Sequence, residues 1–170
     1  MGLYLVALGS NVRHPRHGPP REVLAAALEA LNEAGLEVVA ASTVVDSAAL
    51  GPSRRRYANA VAVLATDLEP PGLLAALHAV EAAFGRRRRG RAWGPRVLDL
   101  DIVLWRGGSW HSPGLAIPHP RFHEREFVLG PAAQVARGWR DPPTGLTLAA
   151  LAARLTRPRP APTSPPGAGP

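Results

Sequence analysis

The chain has 170 residues, a formal net charge of +7 and no cysteine, and every one of its 20 basic residues is arginine. That length suits one domain with a real core, and no apolar run is long enough to span a membrane. The missing cysteine excludes disulfides, thiolate catalysis and cysteine-zinc sites; the missing lysine excludes a Walker A loop, a Schiff base and a lysine general base.

Gly2 to Leu8 is a short apolar run ending in the turn residues Gly9-Ser10-Asn11, which predicts a first strand. It lacks the length and basic flank of a secretory leader, so a cytoplasmic protein is expected. From Arg21 to Ala34, Leu24, Leu28 and Leu31 recur at helical spacing and Gly35 supplies the stop. Leu36 to Val45 is rich in β-branched residues and Tyr57 to Ala65 alternates, predicting two strands that pair antiparallel around a loop. Pro70-Pro71 opens a second helix, with Leu73, Leu77, Val80 and Phe84 on one face and Gly85 at its end. Leu146 to Leu155 reads as a short helix. The domain is expected to span residues 1–156. Residues 157–170 collapse to Pro, Gly, Ala, Thr and Ser and are expected to form a disordered tail.

Between the second helix and the Gly107-Gly108 turn lies the segment Trp93-Gly-Pro-Arg-Val-Leu-Asp-Leu-Asp-Ile-Val-Leu104. In a strand, Asp99 and Asp101 share one face with Val97 and Val103, while Leu98, Leu100, Ile102 and Leu104 take the other. The leucine face is expected to pack under the helices and the aspartate face to stay open. Two carboxylates roughly 6 to 7 Å apart along a strand repel each other, and a divalent cation removes the conflict. Hard oxygen donors favour Mg²⁺, which typically shares its coordination with substrate phosphates. The arginines just before the strand, Arg86 to Arg89, Arg91 and Arg96, offer bidentate hydrogen bonding to phosphate oxygens.

The element order, strand, helix, strand, strand, helix, strand, predicts an α+β, ferredoxin-like split βαβ sandwich, with an antiparallel sheet and helices on one face. Taken alone, the arginine run reads as a solvated basic loop, Tyr57 and Phe127 as core residues, Asn59 as a turn or bulge residue and His119 as a rigid loop residue between prolines.

Together they carry a resemblance. Gly9-Ser10-Asn11 after the first strand, Tyr57-Ala-Asn59, Trp93-Gly-Pro-Arg96-x-x-Asp99-x-Asp101, and Pro118-His119 followed by Arg125 and Phe127 resemble the 6-hydroxymethyl-7,8-dihydropterin pyrophosphokinases of folate biosynthesis over residues 2 to about 156. The resemblance implies transfer of pyrophosphate from ATP to the pterin hydroxymethyl group, with release of AMP. It implies that Asp99 and Asp101 hold two Mg²⁺ ions, that Arg86, Arg88 and Arg96 bind phosphate, and that His119 and Arg125 contact the nucleotide. Tyr57 and Phe127 would sandwich the pterin, Asn59 would read its edge, and Ser47, Ala48 and Leu50 would belong to the loop beside it. Glu81 falls at a family position near the catalytic loop, and Trp93 matches a loop residue that closes over the site. A monomer without nucleic-acid or membrane partners is expected.

Two other classes stay open on the residues alone. A ferredoxin-like nucleic-acid-binding module would use the arginine clusters. A metal-dependent phosphohydrolase would use Asp99 and Asp101 with water.

Overall fold

The computed structural model describes residues 1–47, 56–85 and 96–158. Its main sheet is antiparallel, in the order β2 (Glu37–Ala41), β4 (Tyr57–Thr66), β1 (Gly2–Ser10) and β5 (Asp99–Trp105), with β3 (Val45–Ser47) also paired to β4. Two helices connect the strands, α1 (Pro20–Glu33) and α2 (Pro70–Ala83). A separate hairpin, β6 (Trp110–Ser112) with β7 (Leu115–Ile117), follows β5. Helices α3 (Glu126–Val135) and α4 (Leu148–Thr156) complete the described chain. This is the expected α+β arrangement.

Local chemistry explains the two connecting helices. Each has proline in its first turn, where the missing N–H would have no helical partner, and each runs into a glycine at positive φ, Gly35 and Gly85. The apolar positions Val23, Leu24, Ala27 and Leu31 of α1 and Leu73, Leu77 and Val80 of α2 are buried against Tyr4, Val6 and Leu8 of β1 and Leu98, Leu100 and Ile102 beside or within β5. Truncating one such leucine to alanine typically costs about 2 to 5 kcal/mol. The predicted helix face of the sheet is therefore correct for Leu98, Leu100 and Ile102.

Three features depart from the simplest reading. The stretch from Leu36 to Val45 is two strands, broken at Ser42 to Val44, where the Ser42 hydroxyl accepts a bond from Val61 N–H at 2.9 Å. Strand β5 slips register against β1, with Leu5 opposite Leu104 but Val6 opposite Ile102, so Val103 is an extra residue. This bulge turns Leu104 away from its expected companions, and both Val103 and Leu104 join the core on the opposite face. That second core, with Leu5, Val61, Val63, Val128, Leu129 and Leu151, is covered by α3 and α4. The helical pair of the split βαβ unit thus lies on one face as expected, and the C-terminal helices add a layer on part of the other. Gln134 of α3 is tied to Thr43 by bonds to both its N–H and its hydroxyl, which anchors α3 beside β3.

Candidate functional site

Where α3 and α4 leave the sheet uncovered, the end of β1 forms the floor of a cleft of about 230 Å³. The register places Asn59, Gly9 and Asp99 in one row across β4, β1 and β5, and Val61, Ala7 and Asp101 in the next. Ala7 and Gly9 put almost no side chain above the central strand. A Cβ added at Gly9 would lie 3.6 Å from both the Asn59 Oδ1 and the Tyr57 ring. The small residues therefore make the hollow.

One end of the cleft is aromatic. Tyr57 opens β4 and Phe127 sits in the first turn of α3, and both line the cleft. Asn59 is nearly buried, and its amide nitrogen donates to the Ser47 hydroxyl at 2.8 Å. That bond turns the Asn59 carbonyl oxygen toward Gly9 and the open space. Ser47 is in turn fixed by its place opposite Tyr57 in the β3–β4 pair. The Arg125 guanidinium lies 5.8 Å from the Phe127 ring centroid, within cation–π range.

The other end is charged. Asp99 and Asp101 project from β5 into the cleft, as the alternation requires, together with Arg96. Arg96 Nη1 is 3.3 Å from Asp99 Oδ2, a partly exposed ion pair. The backbone of Arg96 is held by the residue just after β1: its N–H donates to Asn11 Oδ1 at 2.7 Å, and its carbonyl accepts from Asn11 N–H at 3.0 Å.

His119 lines an adjoining cleft of about 420 Å³ whose wall includes Asp101, Leu74 and Ala116. The His119 N–H donates to Val103 O at 2.9 Å, docking the segment on β5. Its Nδ1 accepts the Arg121 N–H at 3.2 Å, so the proton of the neutral ring belongs on Nε2. Burial holds the imidazole below its ordinary pKa, the charges of Arg125 and Arg121 push it further down, and Asp99 opposes them.

Eight of the residues singled out from the sequence thus meet around one cleft: Ser47, Tyr57, Asn59, Arg96, Asp99, Asp101, Arg125 and Phe127. His119 is in the cleft next to it, with Asp101 common to both. Glu81 is buried on α2 and lines neither cleft. Ala48, Leu50, Arg86, Arg88 and Trp93 lie outside the described residues. The residue that sequence reasoning missed is Asn11, which reads locally as part of a strand-ending turn. Its only signal was membership of the Gly9-Ser10-Asn11 motif, since its partner Arg96 is 85 positions away.

The donor set fits a magnesium ion. Two carboxylates on one strand parity supply hard oxygens, and among the described residues no group of three His, Asp or Glu side chains is arranged to hold a metal by itself. A site that leaves most coordination positions to substrate phosphate and water is the usual one for Mg²⁺.

Comparison with known proteins agrees with this geometry. The family described as 7,8-dihydro-6-hydroxymethylpterin-pyrophosphokinase matches residues 5–137. The 2-amino-4-hydroxy-6-hydroxymethyldihydropteridine pyrophosphokinase of Synechocystis is 40% identical over 148 residues, covering 86% of this chain and 73% of the relative. The protein of that name from Pseudomonas aeruginosa is 44% identical over 139 residues, 81% of this chain and 82% of the relative. In fold, the chain is similar to wild-type HPPK-DHPS of Plasmodium falciparum, with a TM-score of 0.65 over 90% of this chain at 12% identity. It spans 44% of the length of that solved chain. With a carboxylate strand, a ring-sized cleft and a family match that runs from β1 into the loop after α3, this chain belongs to the 7,8-dihydro-6-hydroxymethylpterin-pyrophosphokinase family.

Proposed function

We propose that the cleft over Gly9 is where this ATP-dependent pyrophosphokinase transfers pyrophosphate from ATP to 6-hydroxymethyl-7,8-dihydropterin, giving AMP and the pterin pyrophosphate for folate biosynthesis. The observation that carries the reading is the row Asn59, Gly9, Asp99, which joins a ring-binding end to a carboxylate end in one cleft.

Tyr57 and Phe127 hold the flat ring by its faces and Asn59 pairs with its edge, while Ser47 orients the amide. Ala48 and Leu50 belong to the same pterin-facing loop in this reading. The ATP phosphates lie over Asp101 toward His119, whose Nε2–H points a donor at anionic oxygen. Arg96 and Arg125, with Arg86 and Arg88, neutralise charge on the phosphates and on the AMP leaving group. Trp93, which lies outside the described residues, and Glu81 stay in this reading as family positions beside the nucleotide, although Glu81 itself is buried on α2 and lines neither cleft. Two Mg²⁺ ions held by Asp99 and Asp101 would supply charge neutralisation at the bridging oxygens of ATP.

The pterin hydroxyl oxygen forms a bond to the β-phosphorus and gives up its proton to water as the bond from that phosphorus to the α–β bridging oxygen breaks. The bridging oxygen leaves with AMP. Such transfers need little covalent help from protein, so the side chains contribute mainly by positioning and electrostatics.

The same reading has the enzyme act as a monomer in the cytoplasm, without nucleic-acid or membrane partners, and places the end of the folded domain at residue 156. In support of the domain end, α4 closes at Thr156, and no described helix is long and apolar enough to cross a membrane.

Incubation with ATP, Mg²⁺ and the pterin tests the proposal: AMP and pterin pyrophosphate are expected in equal amounts. Release of inorganic phosphate instead would indicate a phosphohydrolase, and absence of turnover with tight RNA binding would indicate a nucleic-acid module.

A further inference from the structure

Asp141 lies in the loop between α3 and α4, outside both clefts, and its side chain is wholly buried. The loop closes on itself through Asp141 N–H to Leu146 O and Gly145 N–H to Asp141 O, each 2.8 Å. The carboxylate therefore projects inward from a fixed frame. Its Oδ2 accepts the Thr144 hydroxyl at 2.6 Å and meets His123 Nε2 at 2.9 Å, while Oδ1 has no partner. Withdrawing a carboxylate from water is unfavourable unless it is well paired. Two backbone bonds already close the loop without the carboxylate. What the buried charge adds is a strong acceptor for a donor from another segment.

That donor stands in the turn Phe122–Glu124, four residues after His119 and two before Arg125. The turn's own backbone bonds are at the long end of the usual range, 3.3 Å from Phe122 N–H to His119 O, 3.2 Å from Glu124 N–H to Arg121 O and 3.2 Å from Arg125 N–H to Phe122 O. The bond from His123 to Asp141 is shorter, and it joins the turn to a different part of the chain. Phe122, whose ring centroid lies 4.0 Å from that of His123 with the two planes tilted by 36°, is buried in the core. Arg125 follows as the N-cap of α3, so the pitch of this turn sets where its guanidinium enters the cleft.

We propose that His123 and Asp141 are a positioning pair, which fixes from behind the turn that carries Arg125 and so sets nucleotide affinity without touching the nucleotide. The proposal rests on the reading of Arg125 as a phosphate ligand.

The test is a double-mutant cycle on the full enzyme. His123→Leu is expected to raise the KM for ATP about tenfold, the range seen for coupled neighbours, while pterin binding without nucleotide changes less than about twofold. His123→Gln, whose amide nitrogen can replace Nε2 as donor, is expected to restore most of the loss. In an Arg125→Ala background, His123→Leu is expected to have no further effect on the KM for ATP. If Arg125→Ala raises that KM but the two losses multiply, His123 acts independently and the proposal is overturned while the role of Arg125 stands. If Arg125→Ala leaves it unchanged, the reading of Arg125 itself falls, and the pair with it. Should His123→Leu fail to fold, Asp141→Asn, which keeps the loop's shape and removes the charge, is read in the same cycle with the same outcomes.

Discussion

Asn59 and Asp99 stand on either side of Gly9 in a single row of the sheet. Neighbouring strands are about 4.8 Å apart, so the two side chains rise from the sheet roughly 10 Å from each other. In the proposed reading, a bicyclic ring read at one edge by Asn59 brings a substituent on its far edge to Asp99, so the sheet spacing would set the length of substrate that fits.

Gly9 is then the most sensitive point of the floor. A methyl group there meets Asn59 and Tyr57 at ordinary contact distance, so Gly9→Ala is expected to fold well and weaken pterin binding only slightly. Gly9→Val suits a strand but fills the hollow, and is expected to weaken pterin binding about 10- to 100-fold, the size of a typical overpacking penalty. Separate titrations with pterin and with an ATP analogue check this, and equal losses for both would sink it.

Ser47 contributes through Asn59. Removing its hydroxyl deletes one neutral hydrogen bond, so Ser47→Ala is expected to weaken pterin binding by about 2- to 10-fold and to leave the melting temperature almost unchanged. Phe127→Ala, which removes a stacking face, is expected to lose more. Calorimetric pterin titration of the two variants ranks them, and a Ser47→Ala protein that binds like wild type contradicts the role given to the hydroxyl.

For the carboxylates, stability and turnover are expected to move apart. The pair of Arg96 with Asp99 is partly exposed and contributes at most about 1 kcal/mol, so Asp99→Asn and Asp101→Asn are expected to melt close to wild type. Turnover is expected to fall by about 10²- to 10⁴-fold, since a misplaced metal forfeits several kcal/mol of transition-state stabilisation. Thermal melts beside an assay for AMP release decide it. Near-normal AMP release from a protein that melts far below wild type would remove the metal assignment.

His119 predicts a pH dependence of definite sign. Its pKa is lowered by burial first and then by Arg125 and Arg121, so the folded protein binds this proton less readily than the unfolded chain does. The associated stability is fully present above the ordinary histidine value of 6.5 and is lost as pH falls through 6.5 toward the folded value. Bound phosphates draw the pKa back up, so nucleotide binding is expected to take up a proton in that window. NMR titration of the His119 ring with and without Mg²⁺ and an ATP analogue measures both shifts; an unchanged midpoint would place the phosphates elsewhere.

If the folded domain ends with α4, removing residues 158–170 is expected to leave activity and melting temperature nearly unchanged. A fall of several degrees on deletion would show that these residues pack on the domain.

Much of the frame was legible because its signals are local. Proline and glycine bracket α1 and α2, and alternation marks β4 and the carboxylate face of β5. Helix α3 was hidden because Gly130 and Pro131 interrupt its pattern, although burial of Val128, Leu129 and Ala132 makes it helical. Leu104 was assigned to the wrong face because a bulge depends on the partner strand, which periodicity along one strand does not contain. The contacts of Asn11 with Arg96, two hydrogen bonds, and of His123 with Asp141, one, join positions far apart along the chain and have no periodic trace. By contrast, residue types with narrow chemistry, such as aspartates inside an apolar strand, announced the cleft.

The extra residue at Val103 has a consequence for how the protein tolerates change. Upstream of it, the parity of β5 decides which way the carboxylates point; downstream, Leu104 answers to the core beneath α3 and α4. The bulge uncouples the two halves of one strand, as a slipped tooth lets two gears turn separately. Sequence drift in the region after Val103, including a changed length of the hairpin beyond Trp105, can therefore be absorbed without rotating Asp99 and Asp101 out of the cleft. An insertion between Arg96 and Asp99 has no such buffer, and would separate the arginine from the carboxylate it pairs with.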